Sequence, residues 1–197
     1  MEIALKHYIH SEISKTLETL EQIAGDEQIG LLVEQIAQTC CTALRAGHKI
    51  LFAGNGGSAA DAQHLAGELV SRLNFDRPGL AAFALTTDTS VLTAIGNDYG
   101  YDKLFARQLN AVGAPGDVFF GISTSGKSAN VLRALEEGRR KGLTTVGLTG
   151  NSGGEMPPLC DYCIRVPSSE TPKIQEGHIM LGHIICGLIE RELFGAD

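Results

Sequence analysis

Residues Lys49 to Val70 read KILFAGNGGSAADAQHLAGELV. A short apolar run opens the stretch, Gly54, Gly56 and Gly57 turn it, and small residues lead into a helical segment. The run shows little alternation, as expected of a strand buried on both faces, and such strands belong to parallel sheets covered by helices. The same order recurs down the chain. AAFALT (81–86) precedes TSVLTAIG and YDKLFARQLNAV, and DVFFGIS (117–123) precedes SANVLRALEEGRRKG. TTVGLTG (144–150) and DYCIRVP (161–167) then lead to a closing helix from about Pro172 to Leu193. This alternation predicts an α/β fold, a three-layer αβα sandwich around a central, mostly five-stranded parallel sheet.

Ahead of the first strand, Leu5, Ile9, Ile13, Leu17 and Leu20 recur at helical spacing, as do Ile29, Leu32, Ile36, Cys40 and Leu44. Two amphipathic helices are therefore expected to lead the chain. With 197 residues, 43% hydrophobic and 20% charged, the sequence has the profile of one globular domain with a sizeable core. The expected layout is a single domain over 1–197, with leading helices over 1–47 and an α/β core with its closing helix over 48–197. The leading helices carry more apolar surface than a five-stranded core needs, so they are expected to contribute to a homo-oligomer.

The net charge of −7, without a basic run, argues against nucleic acid as the main partner. The longest apolar runs, such as Ile184 to Ile189, are interrupted or too short to span a membrane, and MEIALKHYIHSEISK lacks the layout of a signal peptide. A cytoplasmic address is the resulting expectation. Cys40, Cys41, Cys160, Cys163 and Cys186 sit mostly in apolar segments and suit buried thiols in a reducing compartment. The single CxxC, Cys160 to Cys163, reads as two core or edge positions rather than half a zinc site.

Ligands of open α/β sheets bind beyond the carboxyl ends of the strands, near a topological switch point. Here those ends carry GNGGS and STSGKS. Gly121 to Ser128, GISTSGKS, matches the Walker A pattern letter for letter. A nucleotide site would also need an acid at the end of another strand; TTVGLTG ends without one, and Asp88 follows FALTT only after two threonines. The hydroxyls of Ser123, Thr124, Ser125 and Ser128, with the amides of the helix that follows, equally suit one phosphate monoester. A structural turn with Ser125 or Ser128 as helix cap is a third reading. Taken alone, the loop leaves all three open.

His64 and Glu68 stand four apart on the helix after GNGGS and share a face. By itself such a pair is most often a solvated contact. The closing helix adds Gln175, Glu176, His178 and His183 among apolar residues; Gln175 and His183 project roughly to one side. By itself His183 would read as a satisfied core histidine.

Together these features are specific. From GNGGSAADAQHLAGE through AIGNDYGYDKLFARQ and GDVFFGISTSGKSANV to TPKIQEGHIMLGHI, the sequence resembles the sedoheptulose 7-phosphate isomerases, or phosphoheptose isomerases, of the flavodoxin-like sugar isomerase (SIS) fold. The resemblance covers essentially the whole chain. It implies a cytoplasmic bacterial enzyme, commonly a homotetramer, that converts D-sedoheptulose 7-phosphate to D-glycero-D-manno-heptose 7-phosphate. That reaction is the first step toward nucleotide-activated heptose for lipopolysaccharide or related surface glycans. It also implies residue roles. Asn55, Gly56, Gly57, Asn97 and Asp98 would meet the sugar, and Ser123, Thr124, Ser125 and Ser128 the phosphate. Glu68 and His183 would be catalytic, and His64, Glu68, Gln175 and His183 would hold one zinc ion per subunit, with Glu68 and Gln175 also facing substrate. Lys127 stands where many relatives have asparagine, which accounts for the Walker match.

Conversion of a ketose to an aldose moves a proton from C1 to C2 through an enediol, so one carboxylate can serve as base and then acid. An imidazole, which titrates near neutral pH, suits the proton exchange at the two oxygens. Two rival readings remain: a non-catalytic SIS scaffold, whose known examples lack the glutamate and histidine found here as Glu68 and His183, and a P-loop nucleotide-binding protein.

Overall fold

The structure, a computed structural model, describes residues 2–195. Met1, Ala196 and Asp197, the ends of the expected 1–197 domain, lie outside the described residues. Helices α1 (Glu2–Gly25) and α2 (Glu27–Arg45) lead, as their spacing predicts. The Asp26 carboxylate caps α2 by accepting the N–H groups of Gln28 and Ile29. Five strands follow: β1 (Ile50–Gly54), β2 (Ala82–Ala84), β3 (Val118–Ile122), β4 (Thr144–Gly150) and β5 (Tyr162–Val166). Between and after them come α3 (Gly57–Val70), α4 (Thr89–Tyr99), α5 (Leu104–Val112), α6 (Ala129–Arg140) and α7 (Thr171–Phe194).

All strand pairs are parallel, in the order β2-β1-β3-β4-β5. Every residue of β1 and β3 is buried, which explains their unbroken apolar runs. One core cluster lies between the sheet and α2, α3 and α7, around Phe52, Phe120, Leu65 and Ile185. The other lies under α5 and α6, around Phe119, Leu109 and Leu135. These are the three layers of the expected sandwich.

Helix α1 departs from a simple packing role. Ile23 is buried and Leu20 packs on the core, but Leu5, Ile9, Ile13 and Leu17 are exposed by 58%, 57%, 52% and 54%. Its apolar stripe is therefore largely unpartnered within one chain. The five cysteines are free; Cys160 and Cys163 flank Gly147, where an added Cβ would stand 2.6 and 3.3 Å from their sulfurs. They act as packing positions against β4.

Candidate active site

The strand order reverses between β1 and β3, and the paired register Gly54 with Ile122 brings the loops that leave these strands side by side. Gly56 takes a φ of 57°, which favours glycine, so the chain can turn from β1 straight into α3. Asn55 and Asn130 bridge the two loops with reciprocal amide hydrogen bonds of 2.9 Å, and Tyr101 donates its hydroxyl to Asn55 Oδ1 at 3.0 Å. Asn55 Oδ1 thus accepts twice, leaving one N–H of its amide to face a ligand.

In the serine loop, the hydroxyls of Ser123 and Ser128 are hydrogen-bonded at 2.9 Å, and Ser125 Oγ accepts the N–H of Lys127 at 3.2 Å. Ser128 is the N-cap residue of α6, but its side chain makes no capping bond. The cap reading of the loop therefore fails for Ser128; the Val131 N–H turns back to the Ser128 carbonyl at 3.0 Å, and the amides of Ala129 and Asn130 are the first-turn donors that suit an anion. The Walker match is likewise left without its acid. β4 ends at Gly150, and Asp88 is the N-cap of α4, accepting the N–H of Val91 at 3.0 Å.

A cavity of about 360 Å³ opens beside Asn55, with Gly56, Ala59, Thr86, Thr93 and Tyr101 in its wall. A larger hollow, about 530 Å³, lies at the opposite, amino ends of the strands, lined by Gln35, Thr39, His48 and Tyr162, far from either loop. Asn97 and Asp98 lie near the end of α4, where Asn97 Nδ2 donates to Asp98 Oδ1 at 2.8 Å; they make no hydrogen bond to Asn55 or the serine loop.

The second cluster rises from the contact of α3 with α7. Gly182 faces Leu65 so closely that a Cβ there would stand 2.6 Å from Leu65 Cδ2. This close approach brings the neighbouring residues, His64 and His183, together edge to face, with their ring planes at 65°. Their Nε2 atoms are 2.8 Å apart, and His64 Nε2 is 3.1 Å from Glu68 Oε1. Ligand atoms of His64, Glu68 and His183 all lie within 4.8 Å of one another, and no other such group occurs among the described residues. His64 is half exposed and Glu68 mostly covered, so the cluster opens to solvent on one side. Gln175 packs its amide against Gly57 and makes no hydrogen bond to the three.

Two facing imidazole nitrogens must share a proton or a cation. Tetrahedral zinc with bonds of about 2.0–2.1 Å needs donors about 3.3 Å apart, and His and carboxylate ligands are among its usual partners. The 2.8 and 3.1 Å separations are close to that spacing, so the donor set fits a zinc ion.

Residues 11–150 match the SIS domain family. The phosphoheptose isomerase of Aneurinibacillus thermoaerophilus is 60% identical, with 96% of each chain covered. That of Burkholderia pseudomallei is 58% identical over 95% of both chains. The chain belongs to the phosphoheptose isomerases of the SIS domain family. The solved phosphoheptose isomerase of Neisseria gonorrhoeae superposes with a TM-score of 0.88 at 40% identity, covering 94% of this chain and 98% of that one.

Three SIS-site neighbours were not legible in the sequence. Asn130 and Tyr101 orient Asn55, as described. Asp61, one turn before His64 on α3, has a buried Oδ2 without a partner; burial raises its pKa and His64 lowers it, with a net rise. Its three-residue spacing from His64 was the available signal. His178, rather than His183, is the core histidine: it is fully buried and its Nε2 donates to the Thr149 carbonyl at 3.1 Å.

Proposed function

We propose that the chain isomerises D-sedoheptulose 7-phosphate to D-glycero-D-manno-heptose 7-phosphate through an enediol. The observation that carries this reading is the meeting of a carboxylate and two imidazoles within 4.8 Å, on helices that also border the two switch-point loops. Ser123, Thr124, Ser125 and Ser128, with the start of α6, hold the phosphate. Asn55, Gly56 and Gly57 meet the sugar, and Asn97 and Asp98 reach it from α4. Glu68 takes a proton from C1 and returns it to C2, while a proton passes from O1 to O2. Binding of the remote phosphate contributes energy that orients the reacting carbons.

His64, Glu68, Gln175 and His183 would hold the zinc ion, which when bound supplies a Lewis acid to the substrate oxygens. With the ion held, the His183 ring would exchange protons through whichever nitrogen it leaves free. Gln175 would join them from its place against Gly57.

A homotetramer formed by one domain per chain is supported by the exposed stripe of Leu5, Ile9, Ile13 and Leu17. Free cysteines and a sugar-phosphate substrate favour the cytoplasm, and the product would enter nucleotide-activated heptose synthesis for lipopolysaccharide or related surface glycans. The presence of both Glu68 and His183 disfavours a non-catalytic scaffold. The test is incubation of purified protein with sedoheptulose 7-phosphate, with and without zinc, followed by NMR. Appearance of an aldoheptose 7-phosphate is expected; its absence under both conditions refutes the reading.

A further inference from the structure

Arg77 and Glu190 form a buried ion pair for which the isomerisation steps have no use. Their side chains are 2% and 0% exposed. Glu190, on α7, accepts the N–H of Leu73 at 3.0 Å and Arg77 Nε at 3.2 Å on Oε1, and the N–H of Asn74 at 2.8 Å on Oε2. The other nitrogens of the guanidinium face the end of α3. Nη2 donates to the Glu68 carbonyl at 2.8 Å, and Nη1 to the Leu69 carbonyl at 2.6 Å, with longer contacts to Ser71 and Pro78. A helix leaves its last carbonyls without partners. The Ser71 N–H takes that of Gly67, Arg77 takes that of Glu68, and Arg77 and the Leu80 N–H share that of Leu69. The carboxyl end of α3 is thus capped by a side chain anchored on α7.

The placement bears on the site. The carbonyl that Arg77 holds belongs to Glu68 itself, and Glu190 follows His183 on α7 by about two turns. The Gly182–Leu65 contact is apolar, and Cys186 Sγ adds only a long 4.0 Å contact to the Leu65 carbonyl, so this part of the helix pair resists sliding less than strong hydrogen bonds do. A planar guanidinium with five fixed donors fixes their sliding position. We infer that Arg77 and Glu190 are positioning residues, which set the register of α3 along α7 and thereby bring Glu68 and His64 to His183. The inference rests on the reading of these three as the reacting centre. A misplacement of about 1 Å is enough to cost a reaction roughly 10²-fold.

The test compares Arg77→Lys and Glu190→Gln with the wild-type full-length chain. Co²⁺ titration followed by visible absorption reads the ligand cluster, and steady-state kinetics with sedoheptulose 7-phosphate reads the reaction. Leu135→Ala, in the core cluster on the other face of the sheet, controls for lost stability. The two variants should fold, with Co²⁺ dissociation constants raised about 10-fold or more and kcat lowered similarly, while KM stays within about 2-fold. Leu135→Ala should keep wild-type Co²⁺ affinity and kcat at a comparable loss of Tm. Variants that bind Co²⁺ and turn over as wild type does overturn the inference, and so does an equal loss in Leu135→Ala. If the single variants do not fold, the double variant Arg77→Met with Glu190→Leu replaces the pair by apolar groups of similar volume. Weakened Co²⁺ binding in it supports positioning; wild-type affinity, or a third failure to fold, refutes it. A wild-type chain that binds Co²⁺ but leaves sedoheptulose 7-phosphate unchanged refutes the isomerase reading alone, and the titration still decides this one. If wild type turns over but binds no Co²⁺, kcat decides; if it does neither, both readings fall.

Discussion

His64 and His183, 119 residues apart in the chain, face each other with their Nε2 atoms 2.8 Å apart. The approach depends on the missing side chain at Gly182, where a Cβ would press on Leu65. Gly182→Val should push α3 from α7 and lower kcat by about 10-fold or more, because overpacking of this kind forces backbone shifts costing about 1–3 kcal/mol. Kinetics beside circular dichroism check it: an unchanged kcat in a folded variant would show that the histidines do not need this contact.

The serine loop should bind phosphate through hydroxyls and amides rather than through Lys127. Ser123→Ala or Ser125→Ala removes a donor to a dianion, and hydrogen bonds to charged groups are worth about 1.5–3 kcal/mol. A fall in kcat/KM of roughly 10- to 100-fold is expected, with a smaller effect from Lys127→Ala. Silent serine variants beside an inactive Lys127→Ala would restore the nucleotide-like reading of the loop.

His178 should give the protein an acid-sensitive stability. Burial lowers its pKa to about 4, against a weaker upward pull from its bond to Thr149. An unfolded histidine titrates near 6.5, so between about pH 6.5 and pH 4 the unfolded chain binds the extra proton. The stability is fully present above that window, falls through it by about 3 kcal/mol, and levels off below it. Carboxylates with lowered pKa, such as Glu190, act at still lower pH. Denaturant titrations from pH 7 to pH 4 should show the slope in wild type and a flatter one in His178→Gln; equal slopes would exclude His178 as its source.

The exposed stripe of α1 should be covered by other copies of the chain. Ile9→Glu with Ile13→Glu places two charges on that stripe. Light scattering should give a tetramer for wild type and a smaller species for the variant. A monomeric wild type at micromolar concentration would contradict the assembly.

Much of this architecture was legible because strands buried on both faces must be apolar throughout, as in KILFAG and DVFFGIS. The glycine and serine loops were legible for a similar local reason. The shared faces of His64 with Glu68 and of Gln175 with His183 were legible from their spacing, but the spacing alone does not say which element each face would meet. His178 and His183 look alike in sequence, yet one points to Thr149 beside the sheet and the other to α3. Nothing in the sequence singles out Arg77 or Glu190; only packing brings them together across 113 residues. The α1 stripe was legible as apolar, but not that it would stay open in a single chain.

The proposed isomerisation turns on the Glu68 carboxylate moving the carbon-bound proton. Its most direct test is NMR of sedoheptulose 7-phosphate in deuterium oxide with Glu68→Gln, comparing deuterium entry at C1 with wild type and measuring bound metal in both proteins. The variant keeps the shape of the side chain but cannot accept the proton, so exchange should fall about 10²-fold or more, even in molecules that retain metal. Exchange at the wild-type rate in Glu68→Gln would contradict the account and leave Glu68 a ligand only.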